Sequence, residues 1–297
     1  MTALKVAIAT SFYESARRWI PSWIEGVTAA SRGVDVAVVA VVDDLKQPNE
    51  ILAPLVRNLP TLLTPAPGLL RPSAIRSMMI DKALESQADI IIFSDCDDVP
   101  APDAIEIHLD GIVDSDFTYG EVVLIGSGCA MQRKLFFEGC NVPPRLENIK
   151  AIEGRNFAGF TNTALRTKGL RSLDIRIPSE VEAADWWFFS NLLSLGRRGA
   201  RVDRPVALYR QHPGNALGAF PTSSIDGMLK RCRMVSRHYE YSIRDFRESC
   251  AYQGVRRLMS MLETQPAKWT EVVARICEIP GVWFEDVTRS IDALEGS

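Results

Sequence analysis

Hydrophobic residues in the first hundred positions alternate between short continuous runs and longer stretches with a helical repeat. The continuous runs have the length of strands and no polar alternation, which is typical of strands buried on both faces of a sheet. They lie at 4–10, 34–42, 61–64 and 90–93. Between them, 16–30 and 72–83 carry apolar residues at three- and four-residue spacing, which predicts amphipathic helices. This alternation predicts an α/β fold with a mostly parallel sheet and helices on both faces.

The pattern is less regular from residue 102 to residue 210. Predicted helices, strands, turns and connections lie at 102–113 (helix), 117–125 (strand), 126–128 (turn), 141–155 (irregular), 159–166 (short and flanked by turns) and 201–210 (strand). Ser179 and Glu182 have the spacing of a capping box, which predicts a helix from there towards residue 195.

The last part of the chain reads as helical throughout. Predicted helices lie at 228–241, 250–262, 269–279 and 284–294. A Pro-Thr-Ser-Ser stretch at 221–224 precedes them and is the expected boundary. We therefore expect an α/β domain at 1–220 and a helical C-terminal extension at 221–297.

One predicted strand runs directly into three carboxylates. Residues 90–93 are followed by Ser94 and then by Asp95, Asp97 and Asp98. Open α/β sheets bind ligands at the carboxyl ends of their strands. Adjacent carboxylates repel each other unless a cation offsets their charge, and Mg²⁺ or Mn²⁺ prefers one or two carboxylates together with substrate phosphates. A solvated acidic turn, with Asp97 or Asp98 capping the next helix, is the alternative interpretation.

Composition removes several classes of protein from consideration. The 297 residues are 46% hydrophobic and 24% charged, with a net charge of −3, so bulk charge does not favour nucleic-acid binding. No apolar run approaches the ~20 residues that span a bilayer, and the first ten residues predict a strand rather than a signal peptide. Six cysteines without a Cys-x-x-Cys pair predict reduced thiols and a cytoplasmic protein. No Gly-x-Gly-x-x-Gly follows the first strand, which argues against a dinucleotide or S-adenosylmethionine enzyme.

Six short motifs follow one another between residues 4 and 218. They are Ala9-Thr10-Ser11-Phe12-Tyr13, Val41-Val42-Asp43-Asp44, Ala74-Ile75-Arg76-Ser77, Asp95-Cys96-Asp97-Asp98, Ala184-Asp185-Trp186-Trp187 and Leu208-Tyr209-Arg210-Gln211-His212-Pro213-Gly214-Asn215. In this order they resemble the motifs of the family 2 glycosyltransferases, which are nucleotide-sugar-dependent enzymes with the GT-A fold. The last motif is similar to an element of bacterial rhamnosyltransferases and related enzymes that build surface glycans.

The resemblance implies a binding site for a nucleotide-sugar donor and a divalent cation, Mn²⁺ or Mg²⁺. Asp97 and Asp98 would hold the ion, and His212 would add a nitrogen ligand or donate a hydrogen bond to the diphosphate. The donor-binding residues implied are Thr10, Phe12, Asp43, Asp44, Arg71, Arg76, Asp95 and Arg210. Three of these assignments have a simpler alternative: a structural histidine for His212, a turn-forming pair for the two aspartates at 43 and 44, and solvated helix charges for the arginines at 71 and 76.

The resemblance also implies a catalytic base, Asp185, that deprotonates an acceptor hydroxyl. The family has Glu before this Asp, whereas this chain has Ala184; Glu182 is the candidate substitute. Trp186, Trp187 and Asn162 are the expected acceptor contacts. The alternatives are a first-turn Asp that favours the helix dipole and two core tryptophans.

The expected function is metal-dependent, inverting transfer of a sugar to the hydroxyl of a glycan or lipid-linked glycan in bacterial surface polysaccharide synthesis. A nucleotidyltransferase and a catalytically inactive GT-A scaffold protein are the rival hypotheses. Basic residues interleaved with apolar ones at 228–237 suggest peripheral contact with the inner face of an anionic membrane. Packing on the catalytic domain, or a homo-oligomer through the C-terminal helices, are the alternatives for that surface.

Overall fold

The computed structural model describes residues 4–68, 70–126, 134–173, 175–215, 218–242, 249–276 and 281–295. Most of the turn predicted at 126–128 and the end of the helix predicted at 269–279 lie outside these residues.

Nine strands in the described part of the chain form one sheet. They are β1 (Val6–Phe12), β2 (Val36–Val42), β3 (Thr61–Pro65), β4 (Ile90–Phe93), β5 (Val99–Pro100), β6 (Phe117–Gly126), β7 (Arg145–Leu146), β8 (Thr163–Arg166) and β9 (Gly199–Gln211). The order is β3-β2-β1-β4-β8-β6-β9-β5, and β7 pairs with β9. The first four strands of this order are parallel to one another, and β8 is antiparallel to both of its neighbours. The predicted mostly parallel sheet is therefore confirmed.

The helices alternate with the strands and then form the C-terminal part. They are α1 (Ile20–Ala30), α2 (Pro48–Ile51), α3 (Ala53–Asn58), α4 (Pro72–Glu85), α5 (Ala104–Gly111), α6 (Ala184–Ser194), α7 (Ile225–Glu240), α8 (Cys250–Thr264), α9 (Ala267–Ile276) and α10 (Glu285–Glu295), with short 3₁₀ helices at Glu14–Ala16 and Ile149–Ile152. The hydrophobic pattern did not predict α2 and α3, which are short and each carry a Pro in the first turn.

Helix α6 begins later than the sequence predicted. Its N-cap residue is Ala183, which makes no side-chain cap hydrogen bond. The backbone carbonyl of Ser179 instead accepts hydrogen bonds from the side chains of Arg71 and Ser73. The predicted capping box of Ser179 and Glu182 is therefore wrong, because contacts with α4 hold this segment outside the helix.

The C-terminal helices bury their apolar side chains against the sheet. Met228, Leu258 and Val287, from α7, α8 and α10, belong to the same hydrophobic cluster as Phe93 of β4 and Phe189 of α6. The extension and the sheet therefore share a core.

Helix α7 buries the apolar part of the surface for which the sequence suggested membrane contact. Met228, Met234 and Val235 are buried in the core, and Arg231 forms a buried ion pair of 2.9 Å with Asp286 of α10. The basic residues Lys230, Arg233 and Arg237 are exposed, and contact with a membrane stays a prediction. Across the residues that the structure describes, no helix has the length and hydropathy needed to cross a bilayer.

Candidate active site

One cavity of about 460 Å³ lies where the parallel strands end. Because β1, β2 and β4 run in the same direction, the residues after each strand meet at one edge of the sheet. Ser11 and Tyr13 from the end of β1, Asp43 from the end of β2 and Asp95 from the end of β4 line this cavity. The sequence prediction that polar groups converge at the carboxyl ends of the strands is thus met in the structure.

The three carboxylates after β4 form a tight cluster. Asp95, Asp97 and Asp98 each offer an oxygen, and these oxygens lie within 4.8 Å of one another. Asp95 forms an ion pair of 2.6 Å with Arg76 of α4, and the Asp97 carboxylate lies 3.1 Å from Nε2 of His212. The His212 ring packs on the Trp19 ring with centroids 4.1 Å apart, which restricts its orientation.

The turn that carries these aspartates is held by β9. Strand β5 follows the turn and pairs with β9, so the backbone N–H of Arg210 donates to Asp98 at 2.7 Å. The Thr161 hydroxyl donates to the other oxygen of Asp98. The Arg210 side chain donates to the backbone carbonyl of Asp97 at 2.9 Å. Arg210 therefore braces the turn from behind and does not line the cavity, contrary to its predicted contact with the donor.

The cluster has the chemistry of a divalent-cation site. Burial raises the pKa of Asp98 and of Asp95, and the neighbouring charge of Asp97 raises both further. A cation would offset this cost, and Mn²⁺ accepts the carboxylate oxygens and imidazole nitrogen that Asp97, Asp98 and His212 offer. The residues present therefore fit the ion that the motif implies.

The two aspartates after β2 have different surroundings, although both line the cavity. One oxygen of Asp43 is buried without a hydrogen-bond partner among the described residues, and burial and the charge of Asp44 raise the pKa of Asp43. Asp44 instead accepts a hydrogen bond of 3.0 Å from the backbone N–H of Glu14 and so holds the turn. Asp43 therefore has a buried oxygen left for a ligand.

Besides Arg210, three more of the predicted donor contacts do not reach the cavity. Thr10 and Phe12 are fully buried in the protein, and Phe12 packs against the Trp23 ring with centroids 5.1 Å apart. Successive side chains of a strand point to opposite faces, so Ser11 and Tyr13 reach the cavity instead. Arg71 is exposed and donates to the carbonyl of Ser179, outside the cavity lining.

Asp185 lies in the first turn of α6 and lines the same cavity. One carboxylate oxygen accepts a hydrogen bond of 2.7 Å from the backbone N–H of Trp186. Burial raises the pKa of Asp185 to about 6, and the hydrogen bond from Trp186 opposes this shift. A carboxylate with such a pKa gains and loses protons near neutral pH.

The predicted acceptor contacts are core residues. Trp186 is fully buried and stacked on His238 with centroids 3.8 Å apart. Trp187 is buried and donates to the carbonyl of Tyr241. Asn162 is buried and donates to the carbonyl of Gly120. None of these three side chains is among the residues that line the cavity, so the structure gives no support to their assignment to acceptor binding.

Other lining residues were not foreseen. Tyr13 comes from the end of β1, Tyr209 from β9 and Met234 from α7, while Trp283 and Phe284 directly precede α10. The period of two along β1 could have identified Tyr13. Tyr209 stands inside the motif at 208–215, which could have identified it, whereas Met234, Trp283 and Phe284 come from distant parts of the chain that no local pattern connects with the cavity.

Comparison with known proteins shows the fold. No family model and no curated protein matches the sequence. Solved structures do match. S. aureus TarS 1–349 in complex with UDP-GlcNAc is 15% identical with a TM-score of 0.59, covering 99% of this chain and 93% of that one. The mannosyltransferase PcManGT from Pyrobaculum calidifontis, in complex with GDP-Man and Mn²⁺, is 14% identical with a TM-score of 0.54. This match covers 93% of this chain and 74% of PcManGT.

The chain has the GT-A fold. The fold implied by the motif resemblance is therefore confirmed. The GT-A resemblance extends over the C-terminal helices, because the match to TarS covers nearly the whole chain. The similarity of residues 208–215 to rhamnosyltransferases stays a prediction.

Proposed function

We propose that this protein is a metal-dependent glycosyltransferase that transfers a sugar from a nucleotide donor to an acceptor hydroxyl with inversion. The observation that carries the proposal is one cavity lined by two kinds of acidic group. One is the tight cluster of Asp95, Asp97 and Asp98, and the other is the separate carboxylate of Asp185, with its raised pKa. Nucleotide sugars bound to two proteins of the same fold support this assignment.

The donor would lie along the ends of β1, β2 and β4. Asp97, Asp98 and His212 would hold the cation, which stabilises the negative charge that develops on the departing diphosphate. The free oxygen of Asp43 would accept a hydrogen bond from the nucleobase. Arg76 would keep Asp95 in place through their ion pair.

Asp185 would accept the proton of the acceptor hydroxyl. With a pKa of about 6, Asp185 is still mostly ionised at neutral pH, and it is a stronger base than an ordinary carboxylate, which favours general-base catalysis. The family resemblance calls for a Glu at position 184, where this chain has Ala. We assign the role of this missing Glu to Glu182, which also lines the cavity.

A donor panel tests the proposed function. We expect the protein to release UDP or GDP from a matching nucleotide sugar, with UDP-GlcNAc and GDP-Man as first members of the panel. Release should require Mn²⁺ or Mg²⁺ and stop with EDTA. Pyrophosphate formation from a nucleoside triphosphate and a sugar 1-phosphate would instead indicate a nucleotidyltransferase. Metal-dependent nucleotide binding without turnover of any donor or acceptor would favour the inactive scaffold.

The biological acceptor follows from the family resemblance. We propose a hydroxyl on a glycan or lipid-linked glycan of the bacterial surface. Any contact with the inner face of a membrane would have to use another surface than the apolar side of α7, which is buried.

The pH dependence of transfer should follow Asp185. The base must be ionised to take a proton, so the rate should fall as the pH drops through about 6 and approach a tenfold loss per unit below it. We would measure kcat/KM between pH 5 and 8 at saturating metal, with nucleotide affinity measured at each pH as the control. A rate that stays constant down to pH 5, or rises on acidification, would contradict this role.

A further inference from the structure

We propose that the segment 282–284, and Trp283 above all, forms the wall of the acceptor subsite and binds the ring face of a neutral pyranose. The inference rests on the proposed function and names the class of acceptor. It also gives the C-terminal part of the chain a role in substrate recognition, because this segment directly precedes α10 and lies outside the strands of the sheet.

Trp283 lies beside the proposed base. Gly159 lies between the two and also lines the cavity. A Cβ atom added to Gly159 would lie 3.0 Å from Cη2 of Trp283 and 3.3 Å from Oδ2 of Asp185. The edge of the indole and the carboxylate oxygen thus both lie close to Gly159. The absence of a side chain at this glycine leaves room for both. A sugar lying against Trp283 would therefore have its hydroxyls within reach of Asp185.

The indole is held rigidly in this place. The backbone N–H of Asn156 donates to the carbonyl of Trp283 at 2.8 Å. The ring packs on Tyr209 with centroids 5.7 Å apart and on Phe136 with centroids 4.4 Å apart. A pre-oriented aromatic ring provides apolar contact area at low cost in conformational entropy.

The backbone next to Trp283 carries an unusual conformation. Phe284 has a φ of 68°, in the left-handed region that residues other than glycine rarely adopt. Its ring stacks on Trp186 with centroids 4.7 Å apart, and Asp286 in the first turn of α10 is paired with Arg231 of α7. Such outliers persist where surrounding packing imposes them and are concentrated at ligand sites. Here the packing turns the segment towards the cavity.

The surroundings of Trp283 favour a neutral ring. Met234 and Phe160 add apolar surface to the cavity, while Asp185 and Glu182 add carboxylates. A phosphorylated or carboxylated acceptor would meet like charges from these two residues. A pyranose combines an apolar C–H face for the indole with hydroxyls for the carboxylates.

Direct binding of simple sugars tests the subsite independently of turnover. Phenyl pyranosides of hexoses and deoxyhexoses serve as probes, detected by saturation-transfer NMR in the presence of UDP or GDP and of diamagnetic Mg²⁺. We expect Trp283→Ala to weaken probe binding about tenfold and Trp283→Phe to retain much of it. Gly159→Ala should also weaken binding, because the added methyl group lies against the indole and the Asp185 carboxylate.

Trp269→Phe is the matched control. Trp269 is a buried tryptophan of α9 with its indole bonded to the carbonyl of Ser223, and it does not line the cavity. Metal-dependent nucleotide affinity, measured by calorimetry, should stay unchanged in Trp283→Ala and in the control.

The outcomes separate this proposal from the proposed function. Wild-type protein that binds nucleotide but no pyranoside, or Trp283→Ala that binds probes as tightly as wild type, would overturn the subsite. A loss of probe binding in Trp269→Phe as large as that in Trp283→Ala would also overturn it, since it would reflect general loosening of the helices. Failure of every nucleotide to bind would overturn the proposed function, whereas pyranoside binding that depends on Trp283 would still support the subsite.

Discussion

Asp185→Asn is expected to lower the rate of sugar transfer by ~10²–10⁴-fold, the range typical for loss of a general base. Asn keeps the size of the side chain and can still accept the hydrogen bond that the backbone N–H of Trp186 donates to Asp185. It cannot take a proton from the acceptor. Nucleotide affinity should stay close to that of the wild type, because Asp97 and Asp98 are the proposed contacts to the cation and Asp43 is the proposed contact to the nucleobase. Transfer kinetics and calorimetry with nucleotide and Mn²⁺ measure the two effects separately.

Asp226→Asn is the matched control for this experiment. Asp226 is also an acidic residue in the first turn of a helix, α7, but it is not among the residues that line the cavity. Near wild-type transfer by Asp185→Asn would refute the base assignment and leave a residue that only favours the helix dipole. A joint loss of transfer, nucleotide binding and melting temperature would show that Asp185 supports the structure instead.

Asp97→Ala is expected to abolish the dependence of nucleotide binding on a divalent cation. Its carboxylate faces His212 at 3.1 Å and belongs to the cluster of three aspartates. Changes to residues that only support metal ligands typically cost about 10–100-fold in metal affinity, so loss of a ligand should cost at least that much. Calorimetric titration of UDP or GDP with Mn²⁺, and again with EDTA, gives the metal-dependent part of the affinity directly.

Asp97 tests the site more cleanly than Asp98 does. Both oxygens of Asp98 accept hydrogen bonds, from Thr161 and from the backbone of Arg210, so its loss would also disturb the turn. Asp110→Ala, an exposed position at the end of α5, controls for the change of charge. Undiminished metal-dependent binding by Asp97→Ala would contradict the assignment of this residue as a ligand.

The sequence alone was sufficient for the strands and for the place of the acidic cluster. Continuous apolar runs identified β1, β2 and β4, because a strand buried on both faces has no polar alternation. The same pattern placed Asp43 and Asp95 directly after strands, and the parallel arrangement brought both to one cavity. The short motif also identified Asp185 as a candidate, because a position in the first turn of a helix depends only on residues that are neighbours in the sequence.

Tertiary structure decided which side chains face the cavity. In β1 the face exposed to the cavity carries Ser11 and Tyr13, and the motif alone suggested the neighbours on the opposite face. Trp186 and Trp187 follow Asp185 in sequence, but each residue of an α-helix is rotated by about 100° from the one before it. Both tryptophan side chains therefore point into the core. Arg210 points at the back of the acidic turn because β5 and β9 are paired.

Trp283 shows the limit of sequence patterns most clearly. It lies far along the chain from Asp185, and its neighbours in the sequence predict only the start of a helix. It reaches the cavity because Asn156, Tyr209 and Phe136 hold it there through contacts between distant segments. Hydrophobic periodicity reports whether a residue is buried in its own helix or strand. Which other segment it meets depends on how the C-terminal helices pack on the sheet, and only the folded chain determines that.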